Sequence, residues 1–447
     1  MLFALAAIAA PASLALVLWD INRANDRHLA FLVLTIWSRY VIAAFPQYTS
    51  LPVAAGLSVS AIMTFLIAGL GVLLVAPRTF LLRSLIPLYL LMGMIAISGI
   101  ANQTFSGIVV GCLRLTYLLV LQLALYNAAM RVGVDRVVRS LLIVFCFPLS
   151  MQWASIVLGI EKLSGVTLPS WQDLDVIGHN YVGSYDHESM MSIMLVTFLF
   201  VLLFWRTRSP VFWGCVALGV AGLHFSNYRT VTLAGGPVIL AILFTRYFAM
   251  FNVRSRFVAV ALLVSIVLPV MLAVLVDGRL AERFEDVGAI SELDLMRDTY
   301  QLSEPDRDLL TGRYYIWVEY VSAWRHGSLK QGFIGFGPES WKGTFVMYAH
   351  NLYISTLYEL GAIGLVILFI YLLHLIYLCF RINDRVARLK LLAGYAGFLI
   401  MSFATMPMWK IEGLIFLAVL NGSALSLATL SRRQPAQRRL VTAQAVA

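Results

Sequence analysis

His350 and Asn351 form a polar pair at the head of a long apolar run, AHNLYISTLYELGAIGLVIL, which spans residues 349–368. An imidazole titrates near neutrality and can take a proton from a hydroxyl. Two arginines outside the basic clusters stand in connectors that map to the same side of the chain. Arg229 lies in HFSNYRTVTLAGG, and Arg313 opens GRYYIWVEYVSAWRHG. A planar guanidinium matches phosphate oxygens in bidentate fashion. Two arginines and a histidine on one face therefore define an anion pocket with a base beside it. Each also has an ordinary reading: an arginine at a helix end snorkels or pairs with a carboxylate, and Asn351 serves as a helix cap.

The elements that position these residues are membrane helices. The 447-residue chain is 60% hydrophobic and only 13% charged, which excludes an ordinary soluble domain. Apolar runs of about twenty residues recur, each able to cross roughly 30 Å of hydrocarbon. They fall at about 2–19, 29–45, 52–76, 85–101, 106–130, 140–158, 189–205, 211–225, 230–245, 257–276, 351–380, 391–409 and 413–430. The fold class expected is an all-α integral membrane protein of 12–13 transmembrane helices with one long outer loop. That loop divides the chain into an N-terminal bundle at 1–276, a loop at 277–350 and C-terminal helices with a basic tail at 351–447. The first run follows Met1 without a basic leader and reads as a retained span.

Net charge is +10, but the lysines and arginines sit in short alternate connectors. That distribution is a topology signal, not the footprint of a nucleic-acid partner. Arg78 and Arg83, then Arg131, Arg136 and Arg139, Arg206 and Arg208, Arg246, Arg254 and Arg256, Arg381, Arg385, Arg388 and Lys390, and the RRQPAQRR tail share one side, which is cytoplasmic by the positive-inside rule. His350, Arg229 and Arg313 then face outward, into the periplasm of a Gram-negative cell.

In the outer loop, residues 277–308 are acidic and read as a flap. Positions 313, 317, 320 and 324 put Arg313, Trp317, Tyr320 and Trp324 on one helical stripe, an indole-rich face suited to the membrane interface. GFIGFGPESW makes a turn back to the His350 helix. Counting by threes and fours from His350 reaches Ile354, Leu357, Gly361 and Gly364, so the glycines are expected to seat a neighbouring helix. Arg39 and Arg114 lie within spans as structural polar contacts. The segment DVIGHNYVGSYDHES, with His179, Tyr181, Tyr185, Asp186, His187 and Glu188, has no defensible metal-ligand spacing and reads as the polar rim of a lipid or sugar cleft. The four cysteines, Cys112, Cys146, Cys215 and Cys379, fall inside spans and imply no disulfide framework.

These motifs resemble the bacterial O-antigen ligases and Wzy-type polysaccharide polymerases. The ligase signature is His-[Asn/Ser/Gln], nine residues, Gly, two residues, then Gly, Thr or Tyr. His350-Asn351, Gly361 and Gly364 match it in full. The Arg313-to-Trp317 spacing resembles the family's Arg-x3-Trp segment, which leads to a Gly-x-Gly turn. FSNYRTVTLAGG resembles its serine-rich arginine motif. Asn227-Tyr228 departs from the usual Ser-x-Ser-Arg, while Arg229 is kept.

The resemblance implies a GT-C-like membrane glycosyltransferase whose donor is a glycan on undecaprenyl pyrophosphate. It implies that Arg229 and Arg313 grip the pyrophosphate and that His350 deprotonates the acceptor hydroxyl. Asn351, Trp317 and Tyr228 line the pyrophosphate and glycan contacts, inversion follows at the anomeric centre, and no metal or other cofactor is needed. Partners implied are the lipid-linked oligosaccharide, an acceptor glycan or lipid, the membrane, and a chain-length regulator and flippase. The acceptor is a repeat unit for a polymerase, which the aromatic and acidic outer segments favour, or lipid A-core for a ligase. A transporter or flippase is the competing class, and it would place its ionisable residues near mid-membrane.

Overall fold

The computed structural model describes residues 1–54, 57–162, 180–207, 209–247, 255, 293–310 and 312–446. Helix dominates, and the one sheet among these residues is a short hairpin of Pro52–Ala54 with Leu57–Ser58. Eight helical stretches are long and apolar enough to cross a membrane, and three shorter apolar helices accompany them. The chain is an all-α multi-pass membrane protein. The expected span at 257–276, the first part of the flap and His179 lie outside the described residues.

Fifteen helices organise the described chain: α1 (Leu2–Ala24), α2 (Arg27–Ala43), α3 (Val59–Leu74), α4 (Ile86–Ala101), α5 (Phe105–Val132), α6 (Val134–Val144), α7 (Cys146–Val157), α8 (Glu188–Phe204), α9 (Pro210–Ser226), α10 (Arg229–Ile242), α11 (Arg313–Arg325), α12 (Leu329–Ile334), α13 (Leu352–Phe380), α14 (Arg385–Ala404) and α15 (Ile411–Val446). Their starts are chemically marked. Asp26 accepts the His28 and Leu29 N–H groups, Ser58 accepts from Ala61, Ser209 from Val211, and Asp384 from Val386 and Ala387. Each cap satisfies donors that a helix start otherwise leaves orphaned. The span expected at 140–158 is two helices hinged at Phe145.

The core is the packed interior of this bundle, where α5 lies along α15, α10 along α14 and α4 along α13. Arg136 pairs with Asp20, Arg131 with Asp26 and Arg206 with Asp135, and the Arg206 and Arg246 charges both reach Lys390. Helix α8 carries the chain about 25 Å, from Glu188 to Phe204, between this arginine-rich end and the end that holds His187. The basic connectors thus cluster at one end of the bundle. Arg39 donates to the Ser60 carbonyl and hydroxyl at 2.8 and 3.0 Å. Arg114 meets Glu339 at 2.6 Å and lies over the Trp409 ring. Both serve as the structural contacts expected.

The glycine stripe does something other than seat a helix. Gly361 breaks α13 with φ 70° and ψ −173°, a conformation that favours glycine. The break frees the carbonyls of Tyr358 and Glu359, which accept the N–H groups of Phe336 and Gly337, both at 3.0 Å. The turn after α12 therefore docks its backbone into the kink. A Cβ on Gly361 would sit 2.4 Å from the Phe333 backbone, and one on Gly335 would sit 2.3 Å from Glu359. Helical spacing does not survive the kink, so the expected stripe from His350 through Gly364 is not a continuous face. Asn102 seals the turn by donating to the Gly335 carbonyl at 2.9 Å.

Candidate active site at the head of α13

His350 precedes α13 in the left-handed region, at φ 50°, which is uncommon for a side-chain-bearing residue and is held only by its surroundings. On one side Asn351 caps α13, its Oδ1 accepting from the Tyr353 and Ile354 N–H groups at 2.9 and 3.1 Å. On the other side α11 holds the incoming strand. The Trp317 indole donates to the Ala349 carbonyl at 2.9 Å, and the Tyr320 hydroxyl donates to the Met347 carbonyl at 3.0 Å. Both side chains are buried. The aromatic stripe of α11 thus turns inward, because buried indole and phenol donors require acceptors and the 347–349 backbone supplies them.

The Tyr348 ring stacks on His350, with centroids 3.9 Å apart. No hydrogen bond to the His350 ring nitrogens forms among the described residues. Burial drives its pKa from 6.5 to about 3, assisted by the charges of Arg313 and Lys410 and by His187. The imidazole is therefore neutral across the physiological range and has a nitrogen free to accept a proton.

Arg313, the first residue of α11, is partly buried and in ion-pair contact with no described carboxylate. Its charge acts on His350, on Tyr348 and on Tyr228. Tyr228 stands where the α9–α10 turn enters α10, following Asn227 in the left-handed region. Burial pushes the Tyr228 phenol up to about 12, with Arg313 partly opposing. Arg229 follows it as the first residue of α10, next to Tyr228 in the chain. Ser226, at the start of the modified arginine motif, bonds Ser192 at 2.7 Å inside the bundle.

Two further residues complete the cluster: His187, read from the sequence only as part of a polar rim, and Lys410, which site selection from the sequence missed. His187 packs edge-on against Tyr228 at 6.0 Å between centroids, and its Nδ1 accepts the Ser189 N–H at 3.1 Å. Burial, then the charge of Lys410, lowers its pKa. Lys410 lies between α14 and α15 and bonds the Ser189 hydroxyl. The connectors before α8, α10, α11, α13 and α15 thus converge on one patch that holds Arg313, Lys410, Glu188 and two neutral imidazoles. Such a patch binds anions and stabilises negative charge developing on a leaving group. Among the described residues, no group of three His, Cys, Asp or Glu side chains is placed to hold a metal ion.

Residues 215–369 match the family model for O-antigen ligase. The match runs from α9 through the first half of α13 and takes in Tyr228, Arg229, Arg313, Trp317, His350 and Asn351. Over that stretch the chain is similar to the O-antigen ligase and Wzy-type superfamily. No curated protein matches the chain.

Proposed function

We propose that this protein transfers a glycan from undecaprenyl pyrophosphate to the hydroxyl of an acceptor repeat unit, as a surface-polysaccharide polymerase. The reaction takes place on the outer, periplasmic face of the bacterial inner membrane. The observation that carries this reading is the meeting of a neutral His350 with Arg313 inside the family-matched segment. Arg313 and Arg229 hold the pyrophosphate. The acceptor oxygen attacks the anomeric carbon from the opposite face while His350 takes the hydroxyl proton. The bond from that carbon to the pyrophosphate oxygen breaks, its electron pair stays on the phosphate, and the cations stabilise it. The anomeric centre inverts. Pyrophosphate leaves without help from a metal.

A diphosphate bound among these cations offsets the charges that depress His350, so donor binding strengthens the base. Trp317 and Asn351 act on the site by holding the His350 backbone, and Tyr228 offers a ring and hydroxyl toward the glycan. The acidic residues Asp294, Asp298, Glu304 and Asp306 beside α11 suit a neutral glycan acceptor better than a multiply phosphorylated one. Transfer to lipid A-core is the second reading, favoured by the description of the matched family model.

A strain lacking the gene and complemented with His350→Ala tests the reading. Single lipid-linked units are expected to accumulate on the outer leaflet while polymer disappears. Units accumulating on the inner leaflet would support a flippase instead, and intact free polymer beside uncapped lipid A-core would support the ligase.

A further inference from the structure

Lys410 is a cation in a place where this fold otherwise carries few. It occupies the short connector between α14 and α15, at the end of the bundle opposite the arginine-rich connectors. Its ammonium is partly buried, and its hydrogen-bond partner is the Ser189 hydroxyl. Glu412 and Glu188 act on it only through space. Glu412 is itself buried, and its Oε2 has no partner among the described residues. Arg313, a second cation without a carboxylate, acts on the same ammonium. Two neighbouring cations away from bulk water repel each other, and Glu412, Glu188 and Asp186 offset part of that charge at Lys410 without an ion-pair contact. Around them stand His350, His187 and Tyr228, which bear no negative charge at neutral pH, and Glu188, whose carboxylate acts on Lys410, Tyr228 and Tyr348. An anion seated between the two cations relieves their mutual repulsion.

We propose that Lys410 is a third cation of the donor pocket and contacts the diphosphate of the lipid-linked substrate opposite Arg313. This rests on the glycan-transfer reading above and deepens it. Two arginine forks at one end of a pyrophosphate leave oxygens at the other end without a donor, and the three donors of a mobile ammonium suit them. In the empty protein, Ser189 holds the amine beside His187. In the complex, the amine exchanges that hydroxyl for phosphate oxygen. With Arg313 at one phosphate and Lys410 at the other, the pocket discriminates a diphosphate from a monophosphate.

The test measures binding of undecaprenyl pyrophosphate and undecaprenyl monophosphate to the full chain in lipid nanodiscs. It compares wild type with Lys410→Met, Lys410→Gln, Ser189→Ala and Arg313→Gln, and thermal unfolding reports folding for each. Wild type is expected to prefer the diphosphate. Lys410→Met is expected to raise the Kd for diphosphate about 10- to 100-fold, the worth of one charge-assisted contact, with little change for monophosphate. Lys410→Gln gives the same reading if the Met variant does not fold. Ser189→Ala, which keeps the amine, is expected to retain the preference for diphosphate. Folded Lys410 variants that bind both lipids as wild type does, while Arg313→Gln loses the diphosphate, would overturn the role of Lys410 and leave the transfer reading standing. Wild type that fails to prefer the diphosphate, with Arg313→Gln equally unaffected, would overturn both.

Discussion

The Trp317 indole donates to the Ala349 carbonyl at 2.9 Å, so the helix that begins with Arg313 also fixes the backbone one residue before His350. One short helix sets both the cation and the base, through side-chain-to-backbone hydrogen bonds from residues that also pack against Ala349.

Replacing Trp317 with Phe keeps an apolar ring and removes the donor. A membrane-interface anchor would tolerate that change. Here it leaves the Ala349 carbonyl buried and unpaired, at about 1–3 kcal/mol, and loosens a strained residue. The expected result is a drop in kcat of about 10- to 100-fold with donor binding largely retained, measured on purified enzyme.

Gly361→Ala is expected to be among the most damaging single-methyl changes in the chain. It forces a side chain onto φ 70° and onto the Phe333 backbone, and the turn that carries Glu339 to Arg114 undocks. Gly332, in α12, has nothing within 4 Å of the position a Cβ would take. Gly332→Ala is therefore expected to melt as wild type does, while Gly361→Ala loses several degrees or fails to accumulate. Thermal unfolding in detergent compares the two.

Asn351 spends its side-chain oxygen on the α13 cap, so its effect on catalysis runs through the position of His350. Asn351→Ser preserves an N-cap oxygen and is expected to keep most activity. Asn351→Ala is expected to lose about 1 kcal/mol of stability together with turnover. Melting temperature and initial rate, taken side by side, separate the two variants.

The partly buried imidazoles set an acid limit. His350 titrates near 3 when folded and near 6.5 when unfolded, so below 6.5 the unfolded chain binds more protons. Its contribution to stability is complete above pH 6.5 and is lost as pH falls toward 3, and the lowered pKa of His187 acts in the same direction. His350→Gln is expected to flatten the fall in melting temperature between pH 6.5 and 4. For catalysis, a bound diphosphate raises the His350 pKa, so the acid limb of kcat should lie at higher pH than that of kcat/KM.

Much of the bundle was legible because an apolar run of membrane length has few other fates in water. The pairing of His350 with Arg313 was legible from residue type and sidedness. The Gly361 kink was not, because its spacing from His350 fits a continuous helix equally well, and only the docked turn distinguishes the two. The α11 stripe was read outward because an indole suits a membrane interface and a buried carbonyl equally. His187 was read with its segment as the polar rim of a lipid or sugar cleft, because nothing in its spacing ties it to His350, 163 residues further on. Lys410 left one signal: a lysine in a connector on the side that the positive-inside rule leaves poor in lysine.

The most direct measurement supplies purified protein with a defined undecaprenyl-pyrophosphate-linked repeat unit and follows chain extension and release of undecaprenyl pyrophosphate. Wild type is predicted to extend the glycan with inversion, and His350→Ala and Arg313→Gln are each predicted to lose at least about 100-fold in rate while remaining folded. Extension at the wild-type rate by a folded His350→Ala variant would contradict the account.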